Sequence, residues 1–159
     1  QPTGAAFEEV AVTLPECWDK KNHLIKRDVL AKIIFSDANK KQELENILHP
    51  IVRHAQKRFI QKQKRLDRKF VVLDIPLLFE TGAEGRVDYT IVVSAPFHIQ
   101  RRRVLARPNM SEEKFRAILE SQMSDKEKCA RADFVVQTGL GLAYTYRALC
   151  HILQTLKES

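Results

Sequence analysis

Glycine is scarce in this chain, and no glycine is followed by lysine. Five glycines stand among 159 residues, so the sequence holds no Gly-x-x-x-x-Gly-Lys-Ser/Thr phosphate loop. There is also no Gly-x-Ser-x-Gly elbow to present a nucleophilic serine. Cysteine is equally sparse. Cys17, Cys129 and Cys150 show no Cys-x-x-Cys spacing, which argues against a zinc ribbon and a disulfide framework. A reducing, cytoplasmic compartment is therefore expected. Five histidines lack the His-Glu-x-x-His arrangement, so no metal-ligand cluster is expected. No apolar run approaches the ~20 residues that span a bilayer, and no membrane partner is expected. The first residues show no basic-then-apolar signal pattern. There is no internal repeat and no low-complexity linker.

What the chain does carry is positive charge. Lysine and arginine exceed the acids to give a net charge of +7 and a pI near 9.5, a balance that favours anionic partners such as nucleotides and phosphates. With 44% hydrophobic residues over 159 positions, one domain with a real core is within reach.

The first part of the chain reads as helix over residues 24–66. Leu30, Ile33 and Ile34 recur on one face. Ser36 is placed to cap a second helix carrying Leu44, Ile47 and Leu48. Pro50 suits the first turn of a third helix, with Ile51, Ala55 and Phe59 spaced four apart. The other face of that third helix holds Arg53, Lys57, Arg58, Lys62, Lys64 and Arg65. A solvated amphipathic face explains such a run, and a phosphate-binding face is the alternative.

The texture then changes. Residues 70–75, Phe-Val-Val-Leu-Asp-Ile, are apolar without polar alternation, the pattern of a strand covered on both faces in a parallel sheet. Pro76 stops the ladder. Ligands in open α/β sheets bind beyond the carboxyl ends of strands, so residues 74–80 stand where a substrate would sit. A second strand is expected over 89–94 and a third over 134–136. Between them come a helix from Pro96 to near Pro108, one capped by Ser111 and reaching about Met123, and a short one opened by Ser124-Asp125-Lys126-Glu127. A final helix follows Gly139 and Gly141 and runs to about Leu156. Strands separated by helices make this an α/β fold.

Arg101, Arg102, Arg103 and Arg107 crowd one helix, with 103 and 107 one turn apart and facing the same way. Like charges at that spacing repel weakly unless an anion is shared, and guanidiniums bind phosphate bidentately. Surface arginines with acidic neighbours are the alternative. Asp74, at a strand end, suits either a metal-side acid or a loop cap.

Taken in order, the motifs resemble dephospho-CoA kinase over nearly the whole chain. They are His49-Pro50; Leu73-Asp74-Ile75-Pro76-Leu77-Leu78-Phe79-Glu80; Arg103-x-x-x-Arg107; Met110-Ser111-Glu112-Glu113 with Gln122; and Ala132-Asp133-Phe134-Val135-Val136. The resemblance implies a P-loop kinase of the nucleoside-monophosphate-kinase type. Its three-layer parallel sheet has strand order 2-3-1-4-5, with a helical substrate lobe and a helical lid. The implied reaction moves the γ-phosphate of ATP, taken with Mg2+, to the ribose 3′-hydroxyl of dephospho-CoA. That is the last step of coenzyme A synthesis.

The same resemblance implies roles by position. Arg103 and Arg107 are similar to the lid arginines that close on ATP phosphates. Asp74, Pro76, Leu77, Leu78, Phe79 and Glu80 are similar to the acceptor wall. His49 packs at the His-Pro junction or meets substrate, and Asp133 and Thr138 fall near the adenine, where the family usually carries asparagine in place of Thr138. The implied regions are a helical CoA-binding lobe over 1–69, a nucleotide-binding core over 70–95 and 133–159, and a lid over 96–132. The family opens with a strand, the phosphate loop, a helix and a second strand, and Gln1-Pro2-Thr3-Gly4 matches just after that block. The chain is therefore expected to lack strands 1 and 2 and to be inactive alone. Two alternatives are another small-molecule P-loop kinase and a nucleic-acid module built on the basic helix; against the latter, no recognised nucleic-acid motif is present.

Overall fold

The computed structural model of the protein describes residues 4–158; Gln1, Pro2 and Thr3, which contribute to the resemblance, lie outside the described residues. The chain divides into two compact units that meet in sequence between Asp74 and Ile75.

The first unit opens with α1 (Phe7–Thr13), a 3-10 turn (Pro15–Cys17) and a small antiparallel hairpin of β1 (Trp18–Asp19) and β2 (Leu24–Ile25). Two helices follow, α2 (Arg27–Ser36) and α3 (Ala38–Arg65). The expected helix over 24–66 thus begins later, because Leu24 and Ile25 pair with Asp19 and Trp18. Val10, Leu14, Cys17 and Leu44 form the buried core, with Leu30, Ile33, Ile34, Ile47 and Leu48 packed against it. The apolar spacing in the sequence identified those last five and Leu44.

Two expectations about α3 need correction. Asp37, not Ser36, caps it, accepting from the Asn39 and Lys40 N–H groups at 2.9 and 3.1 Å. Asp37 has the extended backbone an N-cap needs. Ser36 still belongs to α2 and donates its hydroxyl to the Lys32 and Ile33 carbonyls. Pro50 does not start a new helix but lies inside α3. An interior proline sacrifices one hydrogen bond, whereas two new helix ends would leave eight backbone groups to satisfy.

The apolar spacing of Ile51, Ala55 and Phe59 does not reach a core. Ala55 is exposed and Phe59 is 44% exposed. At 1.5 Å per residue α3 is roughly 42 Å long and α2 only about 15 Å, so α1 and α2 cover little beyond Leu48. The basic residues 53, 57, 58, 62, 64 and 65 are all exposed.

In the second unit, a turn over 76–82 and a 3-10 turn (Glu84–Arg86) precede β3 (Ile91–Ser94). Then come α4 (Phe97–Leu105), α5 (Glu112–Ser121), α6 (Asp125–Arg131), β4 (Phe134–Gln137) and α7 (Leu142–Glu158). The strands pair in parallel, Ile91 with Phe134 through Ser94 with Gln137, as expected for 89–94 and 134–136. Ser111 caps α5 and Ser124 caps α6, each accepting from the N–H three residues on. Val136, Phe115, Phe79 and Ile152 are among the buried apolar side chains of this unit.

The segment 70–75 is the main correction to the expected architecture. It makes no sheet ladder among the described residues, and it is not covered on both faces. Phe70, Val72 and Asp74 are exposed while Val71, Leu73 and Ile75 are half-buried, with Val72 at 78% exposure. An apolar, β-branched run is suited to a strand, but a strand exists only where a neighbour accepts its hydrogen bonds. The parallel sheet here has two strands.

Candidate active site at the carboxyl ends of β3 and β4

Crossover connections in parallel sheets bring loops together beyond the carboxyl ends of the strands. Here Ser94, Ala95 and Pro96 leave β3 beside Gln137 at the end of β4. Together with Gln100 of α4 and Gln122, Met123, Ser124, Asp125 and Lys128 around the start of α6, they line a cleft of about 580 Å3. That volume is within the usual range for small-molecule sites.

Thr138 ties this end of the sheet together. Its N–H and its hydroxyl both donate to the Ser94 carbonyl, at 2.7 and 3.0 Å. The same hydroxyl accepts from Arg103 Nη1 at 3.0 Å, and the Thr138 carbonyl accepts from Arg103 Nη2 at 2.8 Å. The Ser94 hydroxyl in turn donates to Asp125 at 2.6 Å, which holds the start of α6 against the strand end. Gln100 donates to the Ala95 carbonyl at 2.7 Å. Gly139 completes the approach. A Cβ there would stand 2.8 Å from Pro96 Cδ and 3.2 Å from Ile99 Cδ1, so only glycine lets the chain after β4 lie this close to the start of α4.

The four arginines are not equivalent. Arg101 is engaged by Glu112, donating from Nε at 2.9 Å and from Nη2 at 2.7 Å. That exposed pair matches the alternative of surface arginines with acidic neighbours. Arg103 reaches Thr138, and the Arg102 and Arg107 side chains are exposed. Arg107 is not on the helix: α4 ends at Leu105, and the Arg107 N–H bonds to the Val104 carbonyl. Pro108 disfavours helical backbone at the residue before it, so the expectation that Arg103 and Arg107 share one helical face is not met.

The acceptor-wall residues divide between the two units. Pro76, Leu77, Leu78, Phe79 and Glu80 form a turn closed by the N–H groups of Thr81 and Ala83 on the carbonyls of Leu77 and Leu78. Phe79 is buried as the apolar anchor of that turn. Glu80 faces α6, where Lys128 Nζ stands 2.7 Å from Oε1 and the Met123 N–H donates to the same oxygen at 3.1 Å. Burial pushes the Glu80 carboxyl up, but the Lys128 ammonium and backbone N–H donors outweigh it and hold the group below its ordinary value. Asp74 is exposed and belongs to the first unit, as does His49, half-buried in α3 just before Pro50.

Asp133 and Thr138 are not brought together. Asp133 precedes β4 and Thr138 follows it, so they lie at opposite ends of one strand, roughly 16 Å apart. Asp133 has a structural task there. Its Oδ2 accepts from both the N–H and the hydroxyl of Thr90, each at 2.7 Å, and its own N–H donates back to the Thr90 hydroxyl at 3.0 Å. The Thr90 donors hold its carboxyl below the usual aspartate value.

Ser94 and Lys128 carry no site signal in the sequence, and Asp125 carries only that of a helix opening. A serine ending an apolar strand two residues before a proline is a local signal of a strand end, but nothing local ties it to Asp125.

The family model described as "CoaE: Dephospho-CoA kinase" matches residues 2–143. A dephospho-CoA kinase of Agrobacterium fabrum is 50% identical over 133 residues, covering 84% of this chain and 69% of the relative. One from Brucella melitensis biotype 1 is 40% identical over 154 residues, covering 97% and 76%. Among solved structures, a protein from Thermus thermophilus superposes with a TM-score of 0.77 at 37% identity, covering 94% of this chain and 75% of that one. A dephospho-CoA kinase from Campylobacter jejuni gives a TM-score of 0.62 at 27% identity, covering 96% and 81%.

Proposed function

The chain belongs to the dephospho-CoA kinase family, and on that premise we propose that it serves the transfer of a phosphoryl group from ATP to dephospho-CoA, with the cleft at the carboxyl ends of β3 and β4 as the reaction side of its second unit. In that reaction the ribose 3′-oxygen bonds to the γ-phosphorus as the bond to the β,γ-bridging oxygen breaks. Coenzyme A, ADP and a proton leave. The observation that carries the reading is the 50% identity over 133 residues to a dephospho-CoA kinase, a stretch too long and too similar to reflect shared fold alone.

Within that reading each part has a task. Residues 1–69 form the acceptor-binding lobe, with His49 and Asp74 on its side of the chain. Residues 76–80 make the acceptor wall. Residues 96–132 act as the lid, and 70–95 with 133–159 as the nucleotide-binding core. Arg107 offers an exposed guanidinium to the phosphates, and Arg103 reaches them by exchanging Thr138 for a phosphate oxygen. Charge spread over a transferring phosphoryl group rewards such donors more than the ground state does. Thr138 stands where adenine is expected, whereas Asp133 acts on the strand end.

The chemistry of ATP calls for Mg2+, and the described residues do not form a site for it. Among the described residues no group of three or more His, Cys, Asp or Glu could hold a metal ion, and the sequence has no phosphate-loop hydroxyl. Because positioning elements dominate phosphoryl-transfer catalysis, residues 1–159 by themselves are proposed to bind dephospho-CoA without turning it over.

The test is titration calorimetry of residues 1–159 with dephospho-CoA, with shikimate and a nucleoside monophosphate as competing acceptors, alongside an ADP-release assay. Binding selective for dephospho-CoA, with no ADP formed, is the expected result. Equal or better binding of another acceptor overturns the substrate assignment, and ADP release dependent on dephospho-CoA overturns the proposed lack of turnover.

A further inference from the structure

The turn over 76–82 has no sheet ladder or helix of its own to hold it. Its Phe79 ring is buried, yet its polar end is fixed by one group, the Glu80 carboxylate. Oε1 of that carboxylate receives both the Lys128 ammonium at 2.7 Å and the Met123 N–H at 3.1 Å. Both side chains are well removed from solvent, with 15% exposure for Glu80 and 18% for Lys128. An ion pair this sheltered is screened far less than the surface pairs of the same chain. Its second oxygen, Oε2, is buried and has no hydrogen-bond partner, a feature that in native proteins calls for an explanation.

The three partners belong to separate local structures. Glu80 closes the turn, Met123 lies in the link between α5 and α6, and Lys128 sits one turn into α6 while also lining the cleft. Removing the ammonium would leave a buried carboxylate with backbone N–H donors alone, a costly state that the turn would relieve by swinging Glu80 to solvent. Lys128 therefore decides whether the turn stays where it is.

We propose that Lys128 is a positioning residue for the acceptor site: through Glu80 it locks the turn over 76–82 against the start of α6, and so holds that wall in the position that bound dephospho-CoA requires. This rests on the reading of residues 76–80 as the acceptor wall. Lys128 does not touch the reacting atoms; it acts by holding the carboxylate that fixes the turn.

The test compares Lys128→Met, which keeps the aliphatic stem, with Lys128→Arg, which keeps the charge. Amide hydrogen exchange and dephospho-CoA titration are measured on residues 1–159, with circular dichroism to verify folding. Lys128→Met should speed exchange at the Ala83 and Met123 amides at least tenfold, leave the β3 and β4 amides within about twofold, and weaken dephospho-CoA binding at least tenfold. Lys128→Arg should restore both within about threefold, which a merely structural lysine lost with global unfolding would not do. Unchanged exchange at Ala83 and Met123 in Lys128→Met overturns the lock. A tenfold rise in exchange with unchanged dephospho-CoA affinity overturns its role in acceptor binding. If the parent chain does not bind dephospho-CoA, the acceptor reading itself falls, and the exchange data still decide whether Lys128 holds the turn.

Discussion

Arg103 donates two hydrogen bonds to Thr138, one to its hydroxyl at 3.0 Å and one to its carbonyl at 2.8 Å. The residue expected to close on phosphates is thus bound to the residue expected near adenine. Thr138 passes the contact on to the Ser94 carbonyl, so one guanidinium spans α4 and the ends of both strands. Arg107, beyond the helix end, remains exposed.

This difference separates the arginines experimentally. In a protein where residues 1–159 act together with a phosphate loop, Arg107→Ala should lower the rate of transfer by about a hundredfold or more, since an arginine on a transferring phosphoryl group contributes orders of magnitude. Arg101→Ala, which breaks an exposed pair with Glu112, should leave the rate within about twofold. Steady-state kinetics on both variants checks this, and equal rates would return Arg107 to the solvated surface.

Gly139→Ala should destabilise the second unit. The new Cβ would lie 2.8 Å from Pro96 Cδ and 3.2 Å from Ile99 Cδ1, and a proline ring has little freedom to yield. Overpacking of this kind costs about 1–3 kcal/mol. Gly85→Ala, where an added Cβ meets nothing within 4 Å, is the control. Urea unfolding should show a lower midpoint for the first variant and little change for the second.

Two apolar residues of the first unit should behave oppositely. Leu14 is fully buried and Val52 is 50% exposed. Leu14→Ala removes packed methyl groups and should cost about 2–5 kcal/mol, whereas Val52→Ala on the uncovered half of α3 should stay within about 0.5 kcal/mol. A large loss for Val52→Ala would mean that its face is covered in solution.

The depressed carboxyl of Glu80 sets a pH dependence with a defined sign. A carboxyl whose folded value lies below its unfolded value binds fewer protons when folded. Its stabilisation is fully present above the unfolded value, ordinarily near 4.5, and is lost as pH falls through the folded value. Stability should therefore show no Glu80-dependent change between pH 6 and 8, roughly a unit or more above that value, and should decline in acid. Glu80→Gln should make the acid decline shallower in urea titrations at stepped pH; an identical slope would show that Glu80 is not linked to folding.

Local chemistry in the sequence was enough to identify most elements. Ser111 and Ser124 cap the helices their spacing predicts, because a cap bond reaches only three residues along the chain. The strands over 89–94 and 134–136 carry enough β-branched residues to be read directly. Leu30, Ile33, Ile34, Leu44, Ile47 and Leu48 announce the first core by helical spacing. The ordered motifs, above all Pro76-Leu77-Leu78-Phe79-Glu80, carried the family, since they are contiguous and need no folding to be recognised.

Only the tertiary structure decided what those residues do to one another. Residues 70–75 have the composition of a strand and form none, because pairing needs a neighbour that composition does not supply. Asp133 and Thr138 stand five positions apart in sequence, yet β4 carries them to opposite ends of the sheet. The Met123 N–H meets Glu80 across 43 residues of chain, and Ser94 meets Asp125 across 31. Such partners leave no periodic trace in sequence, because hydrogen bonds and ion pairs act over a few ångströms and only the folded backbone determines which distant residues come that close.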